Sequence, residues 1–520
     1  MGDFNIPLFK VYMNHNAVKT TTNTLMSGML TQGKKVEEFE NKLKEYFKYP
    51  YILTLNSATS GLTLAYKLCN LVPGDVVIST PLTCLATNVA IVHNNLKIKW
   101  ADTNPTTCNI DLTDIENKLT EDVKALSFVH WGGCPVDPDT VFNIKAQYKE
   151  KFNRELYVIE DCAHAFGAEY NTGRFNGFKV GTTGNIAVFS LQAIKHLTTG
   201  DGGLIFLPNK ELYDRAKLLR WYGIDRNRRS LEGQDFRLEP DVAELGFKYH
   251  MNDVNASIGI GNLPSIPNLL VKARHNASIY NEKLQKLSLV KLFQPIGIPS
   301  YWIYTIKVLN GYKNAFIKYL GDAGIVTSQV HARNDTHSSL EMYKMPLPQL
   351  DTIEKEIVSI PVGWWVKRIE LLHIINTIRN FESKTLHGYI IRRIKNDTDF
   401  PQYFSLIKQL LGEIETTPHQ LTCMPGIVYV LEKDSEILAT ARLIIEEKQD
   451  DPIGRIEDVV TKEDSRGKGY GSNIVKHLRD IALEANCYKT ILICKPELQS
   501  FYEKCGFTEK AVALMCRKPV

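Results

Sequence analysis

The chain has 520 residues, 44% hydrophobic and 23% charged, with a formal net charge of +4. That length exceeds a single hydrophobic core and implies about two to four domains of ordinary globular composition. The charge is spread along the chain rather than gathered in basic runs, and the ten cysteines lack paired short spacings, which speaks against nucleic-acid binding, a disulfide framework and a zinc site.

The opening Met1 to Asn5 shows no basic region followed by an apolar run, and no stretch approaches the ~20 apolar residues of a membrane span. The expectation is a cytoplasmic protein with no membrane, nucleic-acid or metal partner. Val36, Phe39, Leu43 and Phe47 fall at helical spacing and predict an amphipathic helix over 34–48. A strand at 52–55 then enters Asn56, Ser57, Ala58, Thr59 and Ser60, and Leu62, Ala65 and Leu68 mark one face of the following helix. Small hydroxyl residues at such a junction are the parts of a phosphate cradle. First-turn N–H groups lack intrahelical partners, and the helix dipole favours an anion. A plain N-cap by Ser57 or Thr59 accounts for the same residues.

Strands at 76–79, 96–101, 125–129 and 157–159, with a helical stretch over 81–93, predict a mostly parallel sheet covered on both faces. The last of these strands ends in Glu160, Asp161, Cys162, Ala163 and His164. An acid there lies where open α/β sheets bind ligands. Asp161 can charge-stabilise a protonated pyridine nitrogen, with His164 over a ring face. The alternative is that Asp161 caps a helix and His164 is a satisfied core histidine. Next, an apolar run from Val188 leads through Ser190 to Lys195, then through a turn with Gly200, Gly202 and Gly203 into Leu204 to Phe206. Desolvation lowers a lysine's pKa and frees the amine as a nucleophile towards carbonyls. Taken alone, Lys195 reads equally well as an ordinary strand-end lysine. Together the cradle, Asp161, Ser190 and Lys195 supply what pyridoxal 5'-phosphate needs: an amine, an acid for the ring nitrogen and a phosphate anchor.

The ordered segments 27–33, 56–59, 80–83, 160–165, the Lys195 stretch and Glu244 to Asp253 resemble the sugar aminotransferases of the DegT/DnrJ/EryC1/StrS group, over roughly residues 5–380. The resemblance implies an α/β protein of PLP fold type I: a large mostly parallel sheet sandwiched by helices, plus a small C-terminal subdomain. It implies a homodimer with the cofactor near the subunit interface, and amino transfer from glutamate to a nucleotide-linked keto sugar. By position it makes Lys195 the Schiff-base lysine and proton shuttle. Asp161 becomes the partner of the pyridine nitrogen, His164 the residue against the ring, and Ala58, Thr59 and Ser190 the phosphate holders. Lys248, where many members have Asn, is implied to reach the phosphate from the partner subunit. Many members carry an aromatic at the position of Cys84, and this chain does not. Further on, His331, Arg333 and Asn334 are expected in a loop that grips sugar hydroxyls or a diphosphate, or else in a solvated polar loop. Residues 382–387 read as a short polar join between an aminotransferase domain over 1–383 and a second domain over 388–520.

After the join, a strand at 389–394, a helix at 400–411 and a hairpin of 427–431 with 437–445 precede a strand at 454–460. Arg466, Gly467, Lys468, Gly469, Tyr470 and Gly471 follow, then an amphipathic helix through Ile474, Leu478 and Ala482. A strand, a basic glycine turn and a helix make a pyrophosphate cradle. With a strand at 490–494 and the segment Phe501 to Phe507, the stretch from Gly454 to Lys518 resembles the GNAT acetyltransferases, glucosamine-6-phosphate N-acetyltransferases above all. The resemblance implies acetyl-CoA bound at 466–471, Tyr502 as acid for the departing thiolate, and Glu457 and Asp458 beside the acceptor. An acidic residue expected nine positions before this tyrosine is Ile493 here, so glucosamine 6-phosphate is not carried over as acceptor. The two halves predict one bifunctional enzyme. Glutamate aminates an NDP-linked, chiefly UDP-linked, 4-keto-6-deoxyhexose, with or without a 2-acetamido group, and acetyl-CoA then acetylates the new amine. A 3-keto sugar substrate and a PLP-binding regulator without turnover are the alternatives.

Overall fold

Seven strands form the main sheet of the first unit, Met1–Ile374. They are β1 (Ile52–Leu55), β2 (Val76–Ser79), β3 (Lys97–Trp100), β4 (Val123–Val129), β5 (Tyr157–Asp161), β6 (Ile186–Ser190) and β7 (Gly203–Phe206), in the order β1-β7-β6-β5-β4-β2-β3. In this computed structural model, residues 4–225, 241–395, 398–411, 424–447, 452–485 and 487–509 are described. β7 is antiparallel to both its neighbours, and every other pairing is parallel. All strands but β7 therefore point the same way.

Strand periodicity sorts the core. Leu53, Leu55 and Val188 join one buried cluster, while Ile52, Ala187, Phe189, Leu204 and Phe206 join another. Both faces of the sheet are covered, which is why these strands read as unbroken apolar runs. A smaller antiparallel sheet, β8 (Val290–Leu292), β9 (Tyr304–Val308) and β10 (Ile357–Ile360), has the order β10-β9-β8. Helix Ala58–Leu68 is N-capped by Ser57, whose side chain accepts from the Ser60 N–H. The helix expected over 81–93 begins only at Leu85. The Thr83 N–H closes a turn on the Pro81 carbonyl, and Cys84 stays extended at ψ 142°.

The second unit, Ile375–Val520, is built on β11 (Tyr389–Arg393), β12 (Ile427–Lys433), β13 (Glu436–Glu446), β14 (Ile453–Thr461) and β15 (Lys489–Ile491), paired in that order. Its first three pairings are antiparallel and the last is parallel. The β12–β13 hairpin turns on Asp434 and Ser435, both at positive φ (51° and 67°), the backbone that a two-residue turn needs to match strand twist. Ala439, Ala441 and Leu443 pack with Ile474, Leu478 and Ala482 of helix Tyr470–Glu484, whereas Val430 and Val460 pack with Tyr403 and Leu406 of helix Phe400–Leu411.

Two expectations are corrected here. Residues 382–387, read as a short polar join, are the last turns of helix Arg368–His387. The strand expected over 490–494 ends at Ile491, where pairing with β14 stops. The stretch 510–518 of the acetyltransferase resemblance lies outside the described residues. No described helix is long and apolar enough to cross a membrane.

Candidate active site

Because β1, β2, β4, β5 and β6 point the same way, the residues that follow them gather at one edge of the sheet: Ser57 to Thr59, Thr80 to Cys84, His130, Asp161 to His164, and Ser190 to Lys195. That carboxyl edge is where such sheets bind ligands. Asp161 is buried, with Oδ1 accepting from the Ala163 N–H at 3.0 Å and Oδ2 from the Thr87 hydroxyl at 2.7 Å. Thr87 is in turn hydrogen-bonded to Thr83 at 2.8 Å. Burial pushes the Asp161 carboxyl above the usual carboxylate range, against the pull of Thr87, Ala163 and Lys195. Lys195 is the complement: burial pushes its amine down to about 7, while Asp161 and Cys84 act in its favour.

His164 is buried, and burial, with Lys195 and His331 nearby, drives it well below the usual histidine range, so it is neutral. Its Nε2 lies 3.4 Å from His331 Nε2, and its Nδ1 has no hydrogen-bond partner. Its ring stacks on Trp302 at 4.0 Å, and the Lys195 Nζ lies 3.4 Å from the Trp302 ring centroid. At the cradle, a Cβ on Gly203 of β7 would stand 2.5 Å from the Ser57 carbonyl and 2.6 Å from the Ala58 nitrogen. Only glycine lets β7 pass so close beneath. Ser57 is engaged as the helix cap, while among the described residues no acceptor meets the N–H groups of Ala58 and Thr59. The Ser190 hydroxyl accepts from the Gln192 N–H at the end of β6. The Lys248 carbonyl accepts from Asn56 Nδ2 at 3.3 Å, which places its backbone beside the cradle.

Two expected substrate groups are otherwise engaged. The Arg333 guanidinium is buried and forks onto Asp335, with further contacts to Asp351 and Glu354, so it secures the loop rather than standing free. Asn334 is buried too: it accepts from Asn88 Nδ2 at 2.7 Å and donates to the Thr83 carbonyl at 3.0 Å. Asn334 holds the 331–335 segment against the elements carrying Thr83 and Thr87, Arg333 ties it to Asp351 and Glu354, and His331 reaches His164. Behind Asp161, His130, Glu160 and Cys162 lie close together. They do not build a metal site. The Val136 N–H donates to His130 Nδ1, which puts the ring proton on Nε2, and that proton goes to Glu160. Asn185 and Thr183 fill the other Glu160 oxygen, and these bonds keep its carboxyl low despite burial.

In the second unit, β15 pairs with β14 only from Ile453 to Arg455, so the β14 edge from Ile456 onward has no strand partner on that side among the described residues. The glycine turn follows directly. Gly467 and Gly469 adopt φ of 78° and 82°, and Gly469 N-caps helix Tyr470–Glu484 without a side-chain hydrogen bond. That leaves first-turn N–H groups, with Arg466 and Lys468 beside them, for an anion. Gly471 packs tightly, since a Cβ there would stand 2.6 Å from Thr461 Oγ1. Tyr502 is 9% exposed, and burial pushes its hydroxyl up to about 12, with Cys494 and Cys505 adding to the effect. Glu457 is half-exposed beside Arg455. Asp458, expected at the acceptor, is spent elsewhere: it sits in a bulge at φ 53°, with Oδ2 2.9 Å from Nε of Arg442, which is 2% exposed.

Residues 12–379 match the DegT/DnrJ/EryC1/StrS aminotransferase family. The chain belongs to that family. It is 41% identical to AtS13 from Actinomadura melliaura, with a TM-score of 0.69, covering 73% of this chain and 99% of that one. It is 38% identical to the sugar aminotransferase CalS13 from Micromonospora echinospora, with a TM-score of 0.67 over 72% of this chain and 99% of that one. The UDP-4-amino-4,6-dideoxy-N-acetyl-beta-L-altrosamine transaminase of Campylobacter jejuni is 30% identical over 393 residues, 72% of this chain and 97% of that enzyme. Residues 397–507 match the acetyltransferase (GNAT) family. The protein thus carries a PLP-dependent sugar aminotransferase and an acetyl-CoA-dependent N-acetyltransferase.

The aminotransferase site fits PLP on its own chemistry. It offers open N–H groups at a helix start, a buried carboxylate whose charge lacks a full partner, an orphaned His164 nitrogen and a lysine whose amine burial brings down to about 7. Bound there, PLP supplies a carbonyl that exchanges amines and a ring that accepts electrons. Thr87 was missed from the sequence, although its i+4 spacing from Thr83 is visible there. Trp302 was missed as well, and no local signal marks it, because the groups it meets at the site, His164, Ile194 and Lys195, lie over a hundred residues away.

Proposed function

We propose that the chain is a bifunctional enzyme acting on a UDP-linked sugar. The first unit moves the amino group of glutamate to C4 of a 4-keto-6-deoxyhexose, and the second acetylates the new 4-amino group from acetyl-CoA. The observation that carries this reading is one chain holding both a buried Lys195–Asp161 site and an acetyltransferase with a glycine turn beside an unpaired strand edge. The name of the C. jejuni enzyme supports UDP, a 4,6-dideoxy sugar and the 2-acetamido form.

In the first site Ala58 and Thr59 hold phosphate through backbone N–H groups, with Ser190 beside them. Asp161 would pair with the ring nitrogen of bound PLP and favour its protonation, and Lys195 would take and return a proton at Nζ. His331 faces the sugar. In the second, Arg466 to Gly471 hold the pyrophosphate of acetyl-CoA. Glu457 takes a proton from the attacking amine, and Tyr502, protonated up to about pH 12, gives one to the departing thiolate. The unit acts as a homodimer: Leu25, Met26 and Met29, with Met26 84% exposed, form an apolar patch that a second copy covers, and Lys248 reaches the partner's cradle.

A panel of UDP-, dTDP- and GDP-linked 3- and 4-keto sugars, supplied with glutamate and acetyl-CoA, tests this by product mass. A UDP-linked 4-keto sugar should gain an amine and then an acetyl group. Amination with no acetylation of any product would sink the two-step reading. A protein that gains visible absorbance with PLP yet aminates no sugar of the panel would favour a regulator.

A further inference from the structure

Burial opposes the charge of the Lys195 amine, and Asp161 favours it. The groups that face it are Asp161, Cys84, His164, His331 and His196. Burial pushes His331 and His196 to about 4 and His164 well below its usual range, so none of the three is a competing cation at neutral pH. What remains against the amine is a ring. The Trp302 centroid lies 3.4 Å from Lys195 Nζ, and the indole Nε1–H donates to the Ile194 carbonyl, one residue before the lysine, at 2.9 Å.

The indole is itself fixed from the acid-bearing side. The Trp302 N–H donates to the Gly132 carbonyl at 2.9 Å, and the Ser300 N–H to the Gly133 carbonyl at 3.1 Å. The Ser300 hydroxyl donates to the His164 carbonyl at 2.9 Å. His164 and Phe9 stack on the ring at 4.0 and 4.8 Å, leaving it 4% exposed. One side chain therefore bridges the segment after β4, the His164 segment and the Lys195 turn.

We propose that Trp302 is a positioning residue for Lys195: its indole N–H pins the backbone before the lysine, and its ring face holds the amine in place. A desolvated ammonium gains from a ring face. The inference rests on the assignment of Lys195 as the reacting amine in amino transfer.

The test uses full-length apoenzyme with Trp302→Phe, which keeps a ring but loses the N–H, and Trp302→Leu, which loses both. The protonation midpoint of Lys195 is read by acylating with acetic anhydride across a pH series and quantifying the Lys195 peptide by mass spectrometry. Trp302→Leu should lower the midpoint by about one pH unit, with Trp302→Phe close to wild type. Covalent capture of PLP, followed by absorbance at a pH above the midpoint, should slow about tenfold or more in both variants, because both lose the anchor at Ile194. A Trp302→Leu midpoint that stays put or rises overturns the role of the ring. Capture by Trp302→Phe at the wild-type rate overturns the role of the anchor. If Trp302→Leu does not fold, Trp302→Met takes its place under the same criteria. The midpoint belongs to Lys195 whether or not that residue meets PLP. Covalent capture by Lys195→Ala would instead sink the Lys195 assignment and leave the midpoint result standing.

Discussion

Burial moves Asp161 and Lys195 in opposite directions: it raises the carboxyl, lowers the amine, and so disfavours the charge of each. For the acid, the folded pKa lies above the unfolded one. The destabilisation is therefore complete above the folded pKa, and it fades as pH falls towards the ordinary carboxylate value. Asp161→Asn keeps the shape and the contact with the Ala163 N–H while removing the charge. Its apoenzyme should resist urea better than wild type at pH 7, and the advantage should shrink at pH 4, as read from unfolding midpoints. Transamination should fall about a hundredfold or more in the same variant, because a neutral amide cannot hold a ring nitrogen protonated. Stability and activity then move in opposite directions, as expected for a site that stores an unfavourable charge for later use. Equal losses of both would make Asp161 a packing residue. Lys195→Ala should abolish transamination and leave acetylation of a supplied amino sugar intact, measured by thiol release from acetyl-CoA.

Two glycines show how strands and turns deliver these residues, for different reasons. Gly203 is needed for approach: its missing Cβ leaves room for the Ser57–Ala58 backbone. Gly203→Ala must push the cradle away from β7, costing about 1–3 kcal/mol, and should weaken PLP binding as judged by titration of the apoenzyme. Gly469 has open space around it but φ of 82°. Gly469→Ala should cost about 1 kcal/mol and raise the KM for acetyl-CoA while transamination is untouched. Much of this was legible in the sequence, because strand periodicity, the glycine turn and the acid at the end of β5 are local signals. The strand expected through Cys494 was not, since its apolar run from Ile491 to Cys494 outlasts its pairing with β14. Arg333, Asn334 and Asp458 misled for a related reason. A polar residue in a loop or strand looks equally ready for a ligand or for a buried partner, and Asp335, Asn88 and Arg442 became the partners only on folding. Thr87 and Trp302 make the converse point: what they touch is set by topology, not by neighbours in sequence.

The whole chain joins an amine-making unit to an amine-acetylating one through a helix, Arg368–His387, that carries residues of both compact units. On the proposed two-step reading the covalent connection raises the local concentration of the intermediate at the second site, while the two chemistries stay in separate compact units. That independence has a measurable consequence. Lys195→Ala and Tyr502→Phe should each fail to complete the overall conversion, the first making no amine and the second acetylating slowly. Mixed in equal amounts they should restore it, since the amino sugar can leave one chain and enter another. Wild type should form the acetamido product with little free amine, whereas the mixture should show a lag in which the amine accumulates and then declines, followed by product mass over time. The lag should shorten as protein concentration rises, because diffusion between chains replaces transfer within one. Amine that accumulates in the mixture and is never acetylated would mean that the second site accepts only what its own chain makes. Indistinguishable time courses for mixture and wild type would mean that the fusion confers no kinetic coupling.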